Sequence, residues 1–363
     1  MPSDTSGTAA NLRSFLIMYE KLTDLNVLYD AFRACQKEVS WKCSVQRYEA
    51  SVFSNINKLR NQLVAGTYRQ KSFYEFDISE RGKTRHIRSL HISDRVLQRA
   101  LCDEVLNPVL YPHLIYDNGA SIKKKGVDFT RRRLCCHLEK YYRKHGNKGY
   151  ILLVDFSKFF DSIPHDKLLV SLSKEIHDTR VLLLLRHLIS TFDTGAGRSL
   201  GIGSQISQIC GIYYPTPIDT YCKVVKSCKY YGRYMDDFYV IHQDKAFLQA
   251  LLQDLTVIAS QLGLTINLKK TQICRIDKGF TFLKTRYFMT DTGKIVKKPC
   301  KANVVRERRK LKKLKAKLDT GQIQLEDIIN EYRSWRGGLV KFDSHRTIHN
   351  MDTFFYSLYG VMP

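Results

Sequence analysis

No run of about 18 apolar residues occurs in the sequence, so no segment is a candidate for a bilayer-spanning helix. Residues 1–11 are small and polar, without the basic start and apolar core of a secretion signal, and are expected to form a frayed tail. None of the ten cysteines belongs to a Cys-x-x-Cys pair, which argues against a zinc knuckle. Scattered through apolar segments, they read as reduced, mostly buried thiols of a cytoplasmic protein. There is no internal repeat and no long low-complexity linker. Acids are scarce relative to bases: 35 Asp and Glu stand against 59 Lys and Arg, a net charge of +24. That excess favours a polyanionic partner, with an anionic membrane surface as the plainer alternative to nucleic acid. The length of 363 residues suffices for two or three substructures with a real core.

Apolar spacing predicts helices over residues 12–68, with Leu22, Leu25, Val27, Leu28, Phe32, Leu59, Leu63 and Val64 on buried faces and Gly66 as the stop. Residues 72–78 and 84–90 alternate as two strands around the turn Glu80-Arg81-Gly82-Lys83, a hairpin with a basic tip and return strand. Asp94 is a candidate cap for a helix from Arg95 to about Leu106, closed by Pro108. Residues 118–126 form a basic loop in which Lys123, Lys124 and Lys125 either lie along a phosphate backbone or are simply solvated. Residues 127–145 read as a basic helix. Residues 149–156 form a nearly continuous apolar strand, hence a central one, that ends on Asp155. Helices are expected over 166–173 and 178–192. Residues 294–317 hold twelve Lys or Arg and one acid, Glu307. There Asn303 is a candidate cap, with Val304, Leu311, Leu314 and Leu318 on one face and positive charge on the other. A second helix over 325–335, broken by Gly337-Gly338, and a third from about His345 complete a basic helical module.

The most informative stretch is Tyr234-Met235-Asp236-Asp237, two acids between β-prone flanks. Adjacent carboxylates at a hairpin tip repel, and a hard cation such as Mg²⁺ relieves that repulsion. Taken alone the pair reads more readily as an ordinary solvated turn. Asp155 adds a third acid at a strand end, placed either in water at a sheet edge or at a metal. Convergence of Asp155 and Asp236 on one sheet edge would let them bridge two Mg²⁺ about 3.5–4 Å apart and support in-line phosphoryl transfer. Lys83, Arg85 and Arg88 of the hairpin would supply cations for phosphates.

In order along the chain, further segments complete a pattern. The stretch 153–163, beginning Leu153-Val154-Asp155-Phe156, resembles motif A of bacterial reverse transcriptases, and Tyr234-Met235-Asp236-Asp237 resembles their motif C. Residues 263–271 resemble motif D, Gly279-Phe280-Thr281-Phe282-Leu283 resembles the motif E primer grip, and the early hairpin with Asp94-Arg95-Val96-Leu97-Gln98 resembles the fingers motifs. The resemblance covers roughly residues 59–355. It implies an α+β right-hand polymerase: an N-terminal helical extension over 1–58, fingers over 59–148, a palm with an RNA-recognition-like antiparallel sheet over 149–293, and a basic helical thumb over 294–363. It implies Asp155, Asp236 and Asp237 as catalytic metal ligands with the Phe156 carbonyl, two Mg²⁺ ions with Mn²⁺ able to substitute, and Phe160 as the gate against a ribose 2′-hydroxyl. Lys269 or Lys270 is expected to protonate pyrophosphate. Tyr234, Met235, Lys284, Arg306, Arg309 and Lys313 are expected along the nucleic acid.

Motif B departs from the Gln-Gly-x-x-x-Ser-Pro of group II intron enzymes. Here Ile202-Gly203-Ser204-Gln205-Ile206-Ser207-Gln208 puts Ile202 for the glutamine and Gln208 for the proline. That form resembles the enzymes of diversity-generating retroelements, which implies nucleotide contacts at Ile202, Gly203 and Gln208 and ready misincorporation. The implied partners are template RNA, nascent cDNA, deoxynucleotides and a small basic helical accessory protein, in a bacterial or phage-encoded system without a membrane role. Gly211-Ile212-Tyr213-Tyr214 resembles a nuclease motif but lies within the motif B helix and is assigned to packing. No RNase H or homing-nuclease domain is expected. An antiphage-defence or retron-like reverse transcriptase and an RNA-binding scaffold on a polymerase fold stand as alternatives.

Overall fold

The computed structural model describes residues 18–80 and 83–363; the expected tail, the helix start at Leu12 and the hairpin residues Arg81 and Gly82 lie outside the described residues, as do the side chains of Glu80, Lys83 and Arg85. After a helical segment over residues 18–22 come three helices, Leu25–Gln36, Cys43–Glu49 and Val52–Val64. Asp24 caps the first by accepting from the Asn26 and Val27 amides, and Leu28, Ala31 and Phe32 bury its apolar face. The hairpin follows as β1 (Tyr74–Glu80) and β2 (Lys83–Ser89), paired antiparallel with Phe76 opposite Ile87 and Glu75 opposite Arg88.

The helix Ile92–Leu101 starts earlier than expected. His91, not Asp94, caps it through the Ser93 amide. Asp94 is buried instead, accepting from the Tyr68 hydroxyl at 2.8 Å and the Lys71 amide at 3.2 Å. Pro108 does not close this helix. The chain widens into a π turn over Cys102–Leu106, which places Pro108 in the first turn of the next short helix, Asn107–Leu110, where its missing N–H costs nothing.

The centre of the molecule is a four-stranded antiparallel sheet. Its strands are β3 (Tyr150–Val154), β4 (Tyr231–Tyr234), β5 (Asp237–His242) and β6 (Gln272–Arg275), in the order β4-β5-β3-β6. With helix Lys245–Gln261 between β5 and β6, this is a split β-α-β arrangement. β3 is buried on both faces, as its unbroken apolar run predicts. Leu152 and Val154 join the core shared with the N-terminal helices and helix Gln205–Tyr213. Ile151 and Leu153 face helix Val127–His145 and a second sheet of β7 (Phe280–Phe282), β8 (Thr285–Met289) and β9 (Ile295–Pro299). All ten cysteines are free thiols, and among the described residues no helix is long and apolar enough to cross a membrane.

Three helices close the chain around their own core of Leu311, Ile328, Tyr332, Met351 and Phe355: Lys301–Asp319, Leu325–Leu339 and His345–Tyr359. Two expectations fail here. Cys300, not Asn303, is the cap residue, because the helix starts directly after β9. Gly337-Gly338 does not break the second helix, which is held on both sides of the pair by buried Tyr332 and Leu339. The propensity loss of about 1 kcal/mol per glycine is smaller than the gain from burying those side chains. The loop after that helix is clipped to β9: the Asp343 amide donates to the Lys297 carbonyl and the Lys297 amide to the Asp343 carboxylate, each at 2.8 Å.

Buried Asp117 ties this frame together, accepting from Arg133 Nε at 2.5 Å and standing 3.3 Å from Lys223 Nζ and 3.5 Å from His137 Nε2. Burial opposes its ionisation, but the hydrogen bonds of His137 and Arg133 and the charges of His137 and Lys223 outweigh it and hold the carboxyl well below the usual range. A depressed folded pKa gives stability that is present above the unfolded carboxylate pKa of about 4 and lost as pH falls below it. Asp117→Asn is therefore expected to lower stability to urea most at pH 7 and by less near pH 2–3, the remainder disappearing only as pH falls through the depressed folded pKa; equal losses at pH 7 and pH 2 would refute this role.

Candidate active site

β4 and β5 are joined by a two-residue turn, Met235-Asp236, since Tyr234 pairs with Asp237. Such tight turns need a left-handed residue, and here Met235 takes it, with φ 57°. A non-glycine residue in that region costs about 1–3 kcal/mol and persists where its surroundings fix it. The ladder of β3 with β5 ends at Val154 opposite Phe238. One step further the same antiparallel register sets Asp155 against Asp237, so that the two carboxyls interact. The acid aligned with Asp155 is thus Asp237, the first residue of β5, rather than Asp236, the turn residue expected to converge with it.

Asp155 is held by the motif D segment. Its carbonyl accepts from the Asn267 amide at 2.8 Å, Ser157 donates to Thr265, and Phe156 forms a β-bridge with Ile266. The Asp155 carboxylate receives Lys270 Nζ at 2.6 Å and Asn267 Nδ2 at 3.4 Å. Of the two lysines weighed from sequence, Lys270 reaches the acids, and its hydrogen bond to Asp155 raises its pKa. Lys269 is exposed beside it. Burial, then the charges of Asp236 and Asp155, push Asp237 up to about 7. Among the described residues no group of three or more His, Cys, Asp or Glu is disposed to hold a metal ion as it stands. The donor chemistry nevertheless fits a hard divalent cation: the converging ligands are oxygens, and the crowding felt by Asp237 is the repulsion that a cation relieves.

The Phe156 ring is buried and stacks on Phe159 at 5.5 Å. Phe159 is core, whereas Phe160 is half-buried and projects beside Gly211 of helix Gln205–Tyr213. A Cβ at Gly211 would stand 3.1 Å from the Phe160 ring, 3.3 Å from Met235 Sδ and 3.5 Å from Phe159. Ile212, Tyr213 and Tyr214 are buried, in keeping with a packing role. Ser204 caps this helix through the Ser207 amide and donates to Gln98 at 2.7 Å. Ile202 is 39% exposed, and Gly203, at φ 113°, brings its backbone against the Arg88 carbonyl on β2. Gln208 accepts from Ser121 of the basic loop at 3.3 Å.

The other predicted residues divide clearly. Lys123 and Lys124 are exposed, but Lys125 folds back, donating to the Tyr116 and Asn118 carbonyls and lying 4.9 Å over the Phe129 ring. Arg88 is engaged by Glu75 at 3.0 Å and stacked on Phe73, on the side of the hairpin opposite Phe76 and Ile87. Tyr234 is half-buried at the turn. Lys284 sits in the β7–β8 turn, where it and Leu283 are both left-handed. Arg306, Arg309 and Lys313 are exposed along the helix Lys301–Asp319. Sequence reading missed Arg233, Asp219, Asn267 and Ser121. The signal for Arg233 was available: a charge inside the strand-forming run 230–234 demands a buried partner.

A profile of the family described as reverse transcriptase (RNA-dependent DNA polymerase) matches residues 70–287. A comparison with curated proteins finds no match. Similar solved structures include telomerase from Candida albicans in complex with a TWJ fragment of telomeric RNA, at 14% identity and TM-score 0.49, covering 63% of this chain and 45% of that one. Apo telomerase from Candida tropicalis matches at 13% identity and TM-score 0.48, covering 63% and 49%. This chain thus spans about half the length of those telomerase chains.

Gly211 generates a test. In a helix Ala is favoured over Gly by about 1 kcal/mol, while a tight methyl costs about 1–3 kcal/mol. Gly211→Ala should therefore change the melting temperature little, yet displacement of Phe160 and Met235 should lower the turnover number by roughly 10- to 100-fold. Wild-type turnover would show that this contact is slack.

Proposed function

The chain belongs to the reverse transcriptase family, and from that premise we propose that it copies template RNA into cDNA at the centre formed by Asp155, Asp236 and Asp237. The fold is that of the family, an α+β right-hand polymerase. The observation that carries the reading is the register of β3 against β5, which aligns Asp155 with Asp237 beside the Met235-Asp236 turn. Those carboxylates, with the Phe156 carbonyl, would hold two Mg²⁺ ions, or Mn²⁺ in their place. When bound, the ions supply the charge that activates the primer 3′-hydroxyl and stabilises the leaving pyrophosphate.

The protein's own groups do the rest. Lys270 carries a proton within reach of the acids and is placed to deliver it to pyrophosphate. Phe160, whose ring lies with Met235 beside Gly211, would exclude a ribose 2′-hydroxyl. The exposed Lys123 and Lys124 and the basic face with Arg306, Arg309 and Lys313 would follow the phosphates of template and product. The subtype reading is a diversity-generating retroelement enzyme, supported by Ile202 and Gln208: an exposed aliphatic at 202 supplies no hydrogen bond with which to check a base pair, and such an enzyme would work beside a small basic accessory protein.

Extension of oligo(dT) on poly(rA) with dTTP tests the reaction. Asp155→Asn and Asp236→Asn are each expected to lower the rate at least about 1,000-fold without unfolding the chain. Activity within tenfold of wild type in both would sink the assignment. For the subtype, Ile202→Gln should reduce misincorporation opposite template adenine, and an unchanged error spectrum would count against it.

A further inference from the structure

Arg233 is a fully buried cation, with 0% exposure, one residue before the Tyr234-Met235-Asp236-Asp237 segment. Its guanidinium makes a bidentate pair with Asp219, which is also buried: Nε to Oδ1 at 2.8 Å and Nη2 to Oδ2 at 2.5 Å. Tyr231 donates its hydroxyl to the same carboxylate at 2.5 Å. That pairing answers the cost of burying the charge, yet an apolar set of similar volume would serve stability as well. Two further donations are not needed for neutralisation. Nη1 donates to the Met235 carbonyl at 3.1 Å, and Nη2 donates to the Ile212 carbonyl at 2.7 Å.

These two bonds end where position matters. Met235 is the left-handed residue that presents Asp236. Ile212 belongs to the helix that carries Gln208 and packs Gly211 against Phe160 and Met235. The backbone of Arg233 faces the other way. Its amide donates to the Asp117 carbonyl and its carbonyl accepts from the Gly119 amide, each at 3.1 Å, so the segment entering the basic loop closes the edge of β4. A guanidinium offers five N–H groups in one rigid plane and can serve a carboxylate and two carbonyls together, which an ammonium cannot.

We propose that Arg233 is the positioning residue of the acidic centre, locking the Met235-Asp236 turn to the helix Gln205–Tyr213 so that Asp236 and Asp237 meet Asp155 at a fixed distance from the nucleotide side of the cleft. The proposal rests on the reading of those acids as the metal-binding centre. Arg233 touches none of the reacting groups and acts through the Met235 carbonyl.

The test separates position from stability. The triple variant Arg233→Met/Asp219→Leu/Tyr231→Phe removes the charge, its partner and the dependent hydroxyl together, so no buried side-chain charge or hydroxyl is stranded and only the Met235 and Ile212 carbonyls lose a donor. Its melting temperature should fall only modestly, with the chain still folded. Mn²⁺ binding to the nucleotide-free enzyme, followed by calorimetry, should weaken by about 10- to 100-fold, with kcat falling while KM for dTTP moves little. Arg233→Lys, which keeps a charge for Asp219 but loses the fork, should fall between. Wild-type Mn²⁺ affinity and kcat in the folded triple variant would overturn the proposal; should that variant not fold, wild-type values in Arg233→Lys would do so. Failure of the underlying reading looks different: Asp155→Asn would then bind Mn²⁺ and extend primer as the wild type does.

Discussion

The antiparallel ladder between β3 and β5 is the constraint on which the rest depends. Its register is over-determined because both strands are buried on both faces. A slip by one residue would send Leu152 and Val154 to the side filled by Ile151 and Leu153, and the reverse, against two separate cores. The same slip would carry Asp155 away from Asp237. The register that gives stability is therefore also the one that aligns Asp155 with Asp237, and a slip would cost both together.

Around that ladder each acid is fixed by a different element. The motif D backbone grips the Asp155 main chain, the tight turn projects Asp236, and the first residue of β5 is Asp237. Burial does most to raise the pKa of Asp237, and repulsion from Asp236 and Asp155 adds to it. The nearest compensation within the protein is Lys270, a flexible and largely exposed side chain that can leave when a stronger cation arrives.

Much of this was legible in the sequence because it rests on local pattern. The unbroken apolar run before Asp155 gives a strand buried on both faces, and the aromatic flanks of Asp236-Asp237 give a hairpin. The basic C-terminal helices follow from spacing. What was not legible depends on distant partners. Asp94 reads as a cap until Tyr68 is found to need its carboxylate. Pro108 reads as a stop until the π turn absorbs it. Gly337-Gly338 reads as a break because the anchoring of Leu339 cannot be seen from its neighbours. Arg233 stands out as a charge inside a strand-forming run, but its partner Asp219, fourteen positions away, looks like an ordinary surface charge until the fold brings the two together. The preference for Lys270 over Lys269 turns on which way one loop faces.

The C-terminal module has its own aromatic core and meets the rest of the chain at a clipped loop and an exposed Lys341–Asp128 ion pair. The helix Lys301–Asp319 is mostly lysine and arginine on its outward face, and although Lys310 pairs with Glu331 and Lys315 with Asp319, the bases far outnumber the acids. An ammonium is a point charge that holds a phosphate without demanding a register. Such a face answers a polyanion by total charge rather than by the spacing of its repeats. The acids at the sheet edge are fixed by register, whereas the basic helix discriminates only by sign of charge.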